Sequence, residues 1–425
     1  MSFNQYTWDL YKQTTIGIEM IKYFSDAGGY VSFKDYCPYA NFIPEDLYND
    51  WLENIYCYGV SDYDHPSSLE EAKDLYISLI TLGIRVEGQQ WLPANDFKNM
   101  LGIIQPMSYV LSQFAPEYFF PYLFLCRIFE LNKIADFFNI DLPNIPKRTD
   151  YKGRCMYYWE LCEVFYLFRK ENGLSPADLW SFLYDFAPNN LPSEKIDMPK
   201  PSQVWFIGGR LYQEDKSLES KFWQSSPETK KGDILVHYET SPISAITCIE
   251  ISLTDGVIDP LFRYYGCIYI GNRINIPHIT LKELQTDEYF FKHPLVRKNF
   301  QGVNGWSVNS ENYSELLRMI KTKGFDIEVL PKLYAPTLPK DVIIEYEHDV
   351  EQQLLEPLLN SMGWYENKDF IRQLPIQAGR GHRIFPDYAL HYGNKPNEER
   401  AKVLIEAKLC MRLSLIHISE PTRPY

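Results

Sequence analysis

The chain has 425 residues, enough for two to four domains with separate cores. It is 45% hydrophobic and 16% aromatic, which excludes a disordered chain. A net charge of −14 argues against broad nucleic-acid binding by phosphate neutralisation, while leaving room for a local basic groove on an acidic body. No apolar run approaches the ~18 residues that a membrane-spanning helix needs. The start, MSFNQYTWDLYKQ, lacks the basic and apolar regions of a signal peptide, so a cytoplasmic protein is expected. Eight scattered cysteines without a CxxC pair read as reduced thiols rather than a disulfide framework or zinc knuckle.

Residues 1–195 read as a mostly helical domain of unknown role. SLEEAKDLYISLITLGI (68–84) and YFFPYLFLCRIFELNKIADFFNI (118–140) repeat apolar residues at helical spacing, with Ser68 and Glu71 as a capping box. A basic, proline-rich connector (141–154) precedes a helix over 155–173 that Gly173 ends. The next helix, 175–188, has Ser175 as N-cap, Pro176 in its first turn and Pro188 beyond its end. The Tyr and Phe stripes here read as core.

Three prolines in NNLPSEKIDMPKPSQ (189–203) mark a linker. Short β-type runs follow at the spacing of a small barrel: QVWFIGG, GDILVHYET, AITCIEISL, YYGCIYIG and INIPHITL. A helix started by Asn312 or Ser314 closes this segment. A second boundary falls at VLPKLYAPTLPKD (329–341).

The third segment, 340–412, opens with an amphipathic helix in VIIEYEHDVEQQLLEPLLNSMGW (342–364), where Glu347 and Glu351 share a face. DFIRQLPIQAG (369–379) reads as one strand, GRGHR as a turn, and FPDYALHYGNKPNEERAKVLIEAK (385–408) as a hairpin through the 393–400 turn. Strand alternation points Glu406 and Lys408 to one side and Ala407 to the other, and the hairpin brings Asp387 alongside Glu406. Two carboxylates so placed call for a cation, and oxygen donors suit Mg²⁺, with Mn²⁺ as substitute. Lys408 would orient or deprotonate the attacking water, or stabilise charge on the phosphate, while Glu351 adds a further carboxylate. The alternative is that Asp387 and Glu406 merely pair with Lys408 or Arg383 across a solvated hairpin. Arg372, Arg380, His382 and Arg383 read equally as an ordinary polar turn or as contacts to a DNA backbone.

PDYAL and VLIEAK resemble the PD-(D/E)xK nuclease motif, and EHDVEQQLLEPLLNSMGW resembles the leading helix of the N-terminal nuclease domain in type I restriction R subunits. The resemblance spans roughly 342–408. It implies an α/β restriction-endonuclease-like core, with Asp387, Glu406 and Ala407 at the metal, Lys408 as catalytic lysine and Glu351, ahead of Glu347, as the helix acid. The tail LSLIHISEPTRP (413–424) resembles a translated transposase adapter from sequencing libraries, so native sequence is expected to stop near Arg412 with this core truncated.

In the middle segment, VWFIGG, KKGDILVHY (230–238) and RKNFQGVNGW (297–306) resemble the EVE branch of the PUA-like fold over about 203–324. That resemblance implies a small barrel reading modified or flipped bases. Trp205, Trp223 and Tyr238 would supply stacking faces, and Gln301 or Asn304 the polar edge contacts. The expected architecture is thus multidomain α+β. The expected function is a Mg²⁺-dependent DNA endonuclease of a prokaryotic defence system, acting on double-stranded DNA with modified cytosine, as a homodimer or with a helicase or NTPase partner. The alternatives are a non-catalytic binder of modified nucleic acid and the front of a type I-like motor subunit, although no GxxxxGK[ST] loop occurs in the 425 residues.

Overall fold

Ser68 starts the first long helix as its sequence predicts, with its side chain accepting the Glu71 amide. The Glu71 carboxylate returns to the amide and hydroxyl of Ser67 instead of Ser68, so only half of the expected capping box forms. The computed structural model describes residues 3–25, 53, 55, 60–86, 89–125, 127–192, 198–210, 220–334, 342–379, 382–393 and 400–408. Arg380 and the tail 413–425 lie outside them. The helix Leu69–Leu82 buries Ala72, Leu75, Tyr76, Leu79 and Ile80, the three-and-four spacing of one apolar stripe. It packs on the helix Tyr151–Glu171, and the Tyr76 hydroxyl donates to the Cys155 carbonyl at 2.7 Å.

Three sequence expectations are corrected here. The expected helix over 118–140 is confined to Ile128–Phe138; Pro121 disfavours helical backbone at Phe120. The chain before it runs non-helically through the core. Tyr158 Oη donates to the Phe120 carbonyl at 2.7 Å, and Tyr184 Oη donates to that of Pro121. The helix expected from residue 155 begins earlier, at Tyr151 behind the Asp150 N-cap; Gly173, at φ +63°, lies just past its end. Pro188 does not lie beyond a helix, since Pro176–Ser181 continues through a wider turn at Phe182–Phe186 into Ala187–Asn190. Pro188 sits in the first turn of that last piece, where a missing amide costs nothing.

After a first hairpin of β1 (Ile84–Val86) and β2 (Gln89–Leu92), the strands of 203–324 form one mixed sheet. Its members are β3 (Val204–Gly209), β4 (Ser220–Gln224), β5 (Ile234–Glu239), β6 (Ala245–Ser252), β7 (Val257–Ile258), β8 (Gly266–Thr280) and β9 (Trp306–Val308). The order is β4-β8-β6-β5-β3-β9 with β7 on β8, and β3 and β5 run parallel. YYGCIYIG and INIPHITL, expected as two strands, are one 15-residue strand, β8. Its pairing with β6 slips at Ile246/Cys248 and Ile249/Ile251, and such bulges bend a strand without ending it. The sheet curls into a half-barrel. The closing helix is Ser310–Thr322, and its N-cap is Asn309, not Asn312 or Ser314; the Asn309 side chain accepts the Asn312 amide.

The helical segment and the sheet form one compact unit, Met1–Met198 with Gln203–Leu330. Leu261, Phe262 and Cys267, from the β7–β8 region, are buried in the same apolar cluster as the helices. Arg154 joins the two: its guanidinium, 1% exposed, donates to the carbonyls of Pro260 at 2.8 Å, Phe262 at 2.6 Å and Arg148 at 3.0 Å. Tyr151 and Tyr265 stack on its faces.

The second unit comprises Pro199–Ser202 and Pro331–Tyr425. Its helix runs Glu347–Asp349, Val350–Leu355 and Glu356–Ser361, shorter than expected, the middle part being a wider π turn. The strand expected over 369–379 is two, β10 (Phe370–Arg372) and β11 (Ile376–Gly379). Gln373, at φ +52°, and Pro375 interrupt it. β11 pairs with β12 (His382–Ile384), whereas β10 pairs with β13 (Tyr388–Leu390), which pairs with β14 (Val403–Ile405). Leu359, Trp364, Phe370, Tyr388 and Leu390 form the core of this unit. The fold is mixed α/β, and no helix among the described residues is long and apolar enough to cross a membrane.

Removing the Arg154 guanidinium strips donors from three backbone carbonyls at the helix–sheet junction. Arg154→Ala is expected to lower unfolding free energy by roughly 2–4 kcal/mol, read as a lower urea midpoint. A loss below about 1 kcal/mol would show that this residue does not bind helices to sheet.

Candidate functional site

The β13–β14 pairing sets Tyr388 opposite Ile405 and Leu390 opposite Val403, with Tyr388 and Leu390 buried. Continued one step, that register sets Asp387 opposite Glu406. Asp387 Oδ2 accepts the Ala407 amide at 2.6 Å, and Oδ1 accepts the Gln373 side-chain amide at 3.1 Å. The Gln373 main-chain amide in turn donates to the Pro386 carbonyl at 3.1 Å, so the end of β10 braces the turn that carries Asp387. Ala407 is buried, while Glu406 and Lys408 have side chains 56% and 63% exposed. The Lys408 ammonium bonds Glu406 Oε1 at 2.9 Å and lies 3.8 Å from Glu347 Oε1. The bond from Glu406, followed by the charges of Glu406, Glu347 and Asp387, holds the lysine pKa above its ordinary value.

Glu351 is elsewhere. It pairs with Arg372, which also reaches Glu356 Oε1 at 2.8 Å and lies over the Tyr388 ring. Glu347 and not Glu351 is therefore the helix carboxylate beside Lys408, although the two were expected to share a face. Arg372, expected at a DNA backbone, is held by two carboxylates. Arg383 is exposed on β12, and His382 belongs to the same strand.

In the sheet, alternation places Trp205 and Ile207 of β3 on one face with Leu235 of β5. They cluster with Ile268, Ile270 and the half-buried Trp223. Trp205 is 3% exposed and its indole donates to Asp233 Oδ2 at 2.9 Å. Asn304 joins strands: its Oδ1 accepts the Gly208 amide at 2.7 Å and the Trp223 indole at 3.3 Å, and its Nδ2 donates to Gln224 Oε1 at 3.3 Å. A Cβ on Gly209 would lie 2.5 Å from the Trp223 ring, so glycine is what lets the indole lie against β3. Tyr238 is buried and stacks on Phe300, with ring centroids 4.0 Å apart. Gln301 is exposed in the turn before Asn304. The structure thus brings Trp205, Trp223 and Asn304 around one face of the sheet and sets Tyr238 and Gln301 apart from them.

Sequence reasoning missed a polar group on the Trp205 face. His237 on β5 lies opposite Cys248 on β6, with Glu250 two residues along. His237 Nδ1 and Glu250 Oε2 are 2.9 Å apart, and Arg273 Nε donates to Glu250 Oε1 at 2.8 Å. Burial raises the Glu250 pKa, but His237 and Arg273 outweigh it and hold the carboxyl below its usual value. The signal in the sequence was three polar residues at same-face positions of apolar strands.

No protein-family model and no curated protein matches the chain. Among solved structures, Rpa0253 from Rhodopseudomonas palustris is similar at 14% identity over 28% of this chain and 94% of its own, with a TM-score of 0.25. A hypothetical protein from Leishmania major is similar at 11% identity over 29% of this chain and 98% of its own, again at 0.25. Likenesses at that TM-score carry no argument about fold or function.

If Glu406 raises the Lys408 pKa, Glu406→Gln will lower it, as followed by heteronuclear NMR of the lysine side chain through alkaline titration. An unchanged titration would remove Glu406 from contact with that ammonium.

Proposed function

We propose that the chain is a metal-dependent DNA endonuclease of a prokaryotic defence system, acting in the cytoplasm on double-stranded DNA. The observation carrying this reading is the gathering of Asp387, Glu406, Glu347 and Lys408 at the end of one hairpin, with Asp387 fixed to the Ala407 amide. Glu406 and Glu347 flank the Lys408 ammonium, and Asp387 acts on it through its charge alone, so three acidic side chains stand near one cation. Their donor atoms are all oxygen, which fits a hard divalent cation such as Mg²⁺ or Mn²⁺. Asp387, Glu406 and the Ala407 carbonyl would hold the ion, which when bound polarises the scissile phosphodiester and acidifies a water.

Asp387 is braced by two hydrogen bonds, so its carboxylate is oriented before any ligand arrives. The bond to Glu406, with the charges of Glu406, Glu347 and Asp387, raises the Lys408 pKa. Lys408 would orient or deprotonate the attacking water, or offset charge on the phosphate. The half-barrel would supply selectivity by taking a modified base against the Trp223 face, with Asn304 positioning the indole.

A second reading, a non-catalytic binder of modified nucleic acid, draws on the two ion pairs that already engage Lys408 and Arg372. One assay separates them. Full-length protein, Mg²⁺ or Mn²⁺ and DNA carrying cytosine, 5-methylcytosine or hydroxymethylcytosine should give strand cleavage that chelator abolishes. Asp387→Asn and Lys408→Met should each reduce it roughly 10²-fold or more. Binding of modified DNA without cleavage, unchanged in Asp387→Asn, would establish the binder instead.

A further inference from the structure

We propose that His237, Cys248 and Glu250 form a binding site for a zinc-class transition-metal ion inside the curled sheet, with Arg273 gripping the outer oxygen of Glu250. This goes beyond the nuclease reading and does not depend on it: the residues belong to the other unit and offer different donor chemistry.

The placement follows from strand geometry. His237 faces Cys248 across the β5–β6 pair, and Glu250 projects from the same side of β6 two residues later. One donor atom from each lies within 4.8 Å of the other two, close enough to share one ion. None of the three is more than 2% exposed. Pairing slips between His237 and Tyr238, between Ile246 and Cys248, and at Glu250 between Ile249 and Ile251, and such irregularities re-aim side chains beside binding sites.

The chemistry of the set is selective. An imidazole nitrogen, a sulfur and a carboxylate oxygen suit Zn²⁺ over Mg²⁺, and three protein donors leave its fourth tetrahedral position for water or a ligand. His237 Nδ1, which faces Glu250 Oε2 at 2.9 Å, is the ring nitrogen placed to share an ion with that carboxylate, and the buried Nε2 is the outer nitrogen of the ring. Trp223 packs against that imidazole at a steep angle, with ring centroids 4.8 Å apart. Arg273, bonded to Glu250 Oε1, is an outer contact that orients the carboxylate and leaves Oε2 turned inward. Cys248 is fully buried and enters the site as a thiol. Binding a divalent ion replaces the thiol proton, which leaves to solvent as the sulfur–metal bond forms.

The test uses tag-free, full-length protein produced with added cobalt. Expected is about one Co²⁺ per chain with a near-ultraviolet thiolate-to-metal charge-transfer band and the intense visible bands of four-coordination. Zinc should displace the cobalt and erase both. Cys248→Ser should lose the charge-transfer band, while Cys267→Ser, at a buried cysteine of the same sheet, and Asp387→Asn, in the other unit, should keep it. X-ray absorption of the wild-type zinc protein should give a shell with one sulfur and the rest nitrogen or oxygen, which tests the site even if Cys248→Ser does not fold. Wild-type protein without bound transition metal, a band surviving in Cys248→Ser, or a sulfur-free shell would each overturn the proposal.

Discussion

The hydrogen bond from the Ala407 amide to the Asp387 carboxylate is the contact on which the candidate site depends. It fixes the phase of the chain beyond β14: Ala407 turns inward, and Glu406 and Lys408 turn outward on either side of it. A one-residue slip would bury the two charged side chains and expose the alanine, and burying charge without full pairing costs several kcal/mol. The same carboxylate takes the Gln373 side chain, so a residue at the break between β10 and β11 participates in placing the acid. Two motif halves far apart in sequence become one acidic surface in this way, with Lys408 as its cation.

Buried charge in the first unit is treated differently. Arg154 is satisfied by carbonyl oxygens and aromatic faces, which suits a planar group with five donors, and it ties helices to sheet. Glu250 is satisfied by one histidine and one arginine. The first arrangement is closed, with its donors directed at carbonyls of the fold. The second gathers an imidazole, a thiol and a carboxylate on one face of the sheet, and those are donors that a metal ion can share.

Much of the framework could be read in the sequence. Ser68, Ser175 and Gly173 mark helix ends because their chemistry is local, and the β13–β14 hairpin follows from alternation around a polar turn. The failures occur where tertiary contacts override local pattern. The aromatic stretch before Ile128 has helical spacing, but Pro121 disfavours helical backbone at Phe120, and distant tyrosines satisfy the carbonyls of both residues. β8 runs through apparent turn residues Gly271 and Asn272 because bulges absorb the bend. At the candidate site, one face of a helix was readable but the choice of carboxylate was not: Arg372 on β10 claims Glu351 and leaves Glu347 for Lys408. The His237 group went unseen because single polar residues inside apolar strands look alike until three strands are brought together.

In the proposed function, Asp387 and Glu406 make a site for a hard divalent cation. Mn²⁺ titration followed by electron paramagnetic resonance tests it directly, comparing full-length protein with the Asp387→Asn, Glu406→Gln double variant. Bound Mn²⁺ is expected in the wild type, displaced by Mg²⁺ and absent from the double variant. Equal Mn²⁺ binding by both proteins would contradict it.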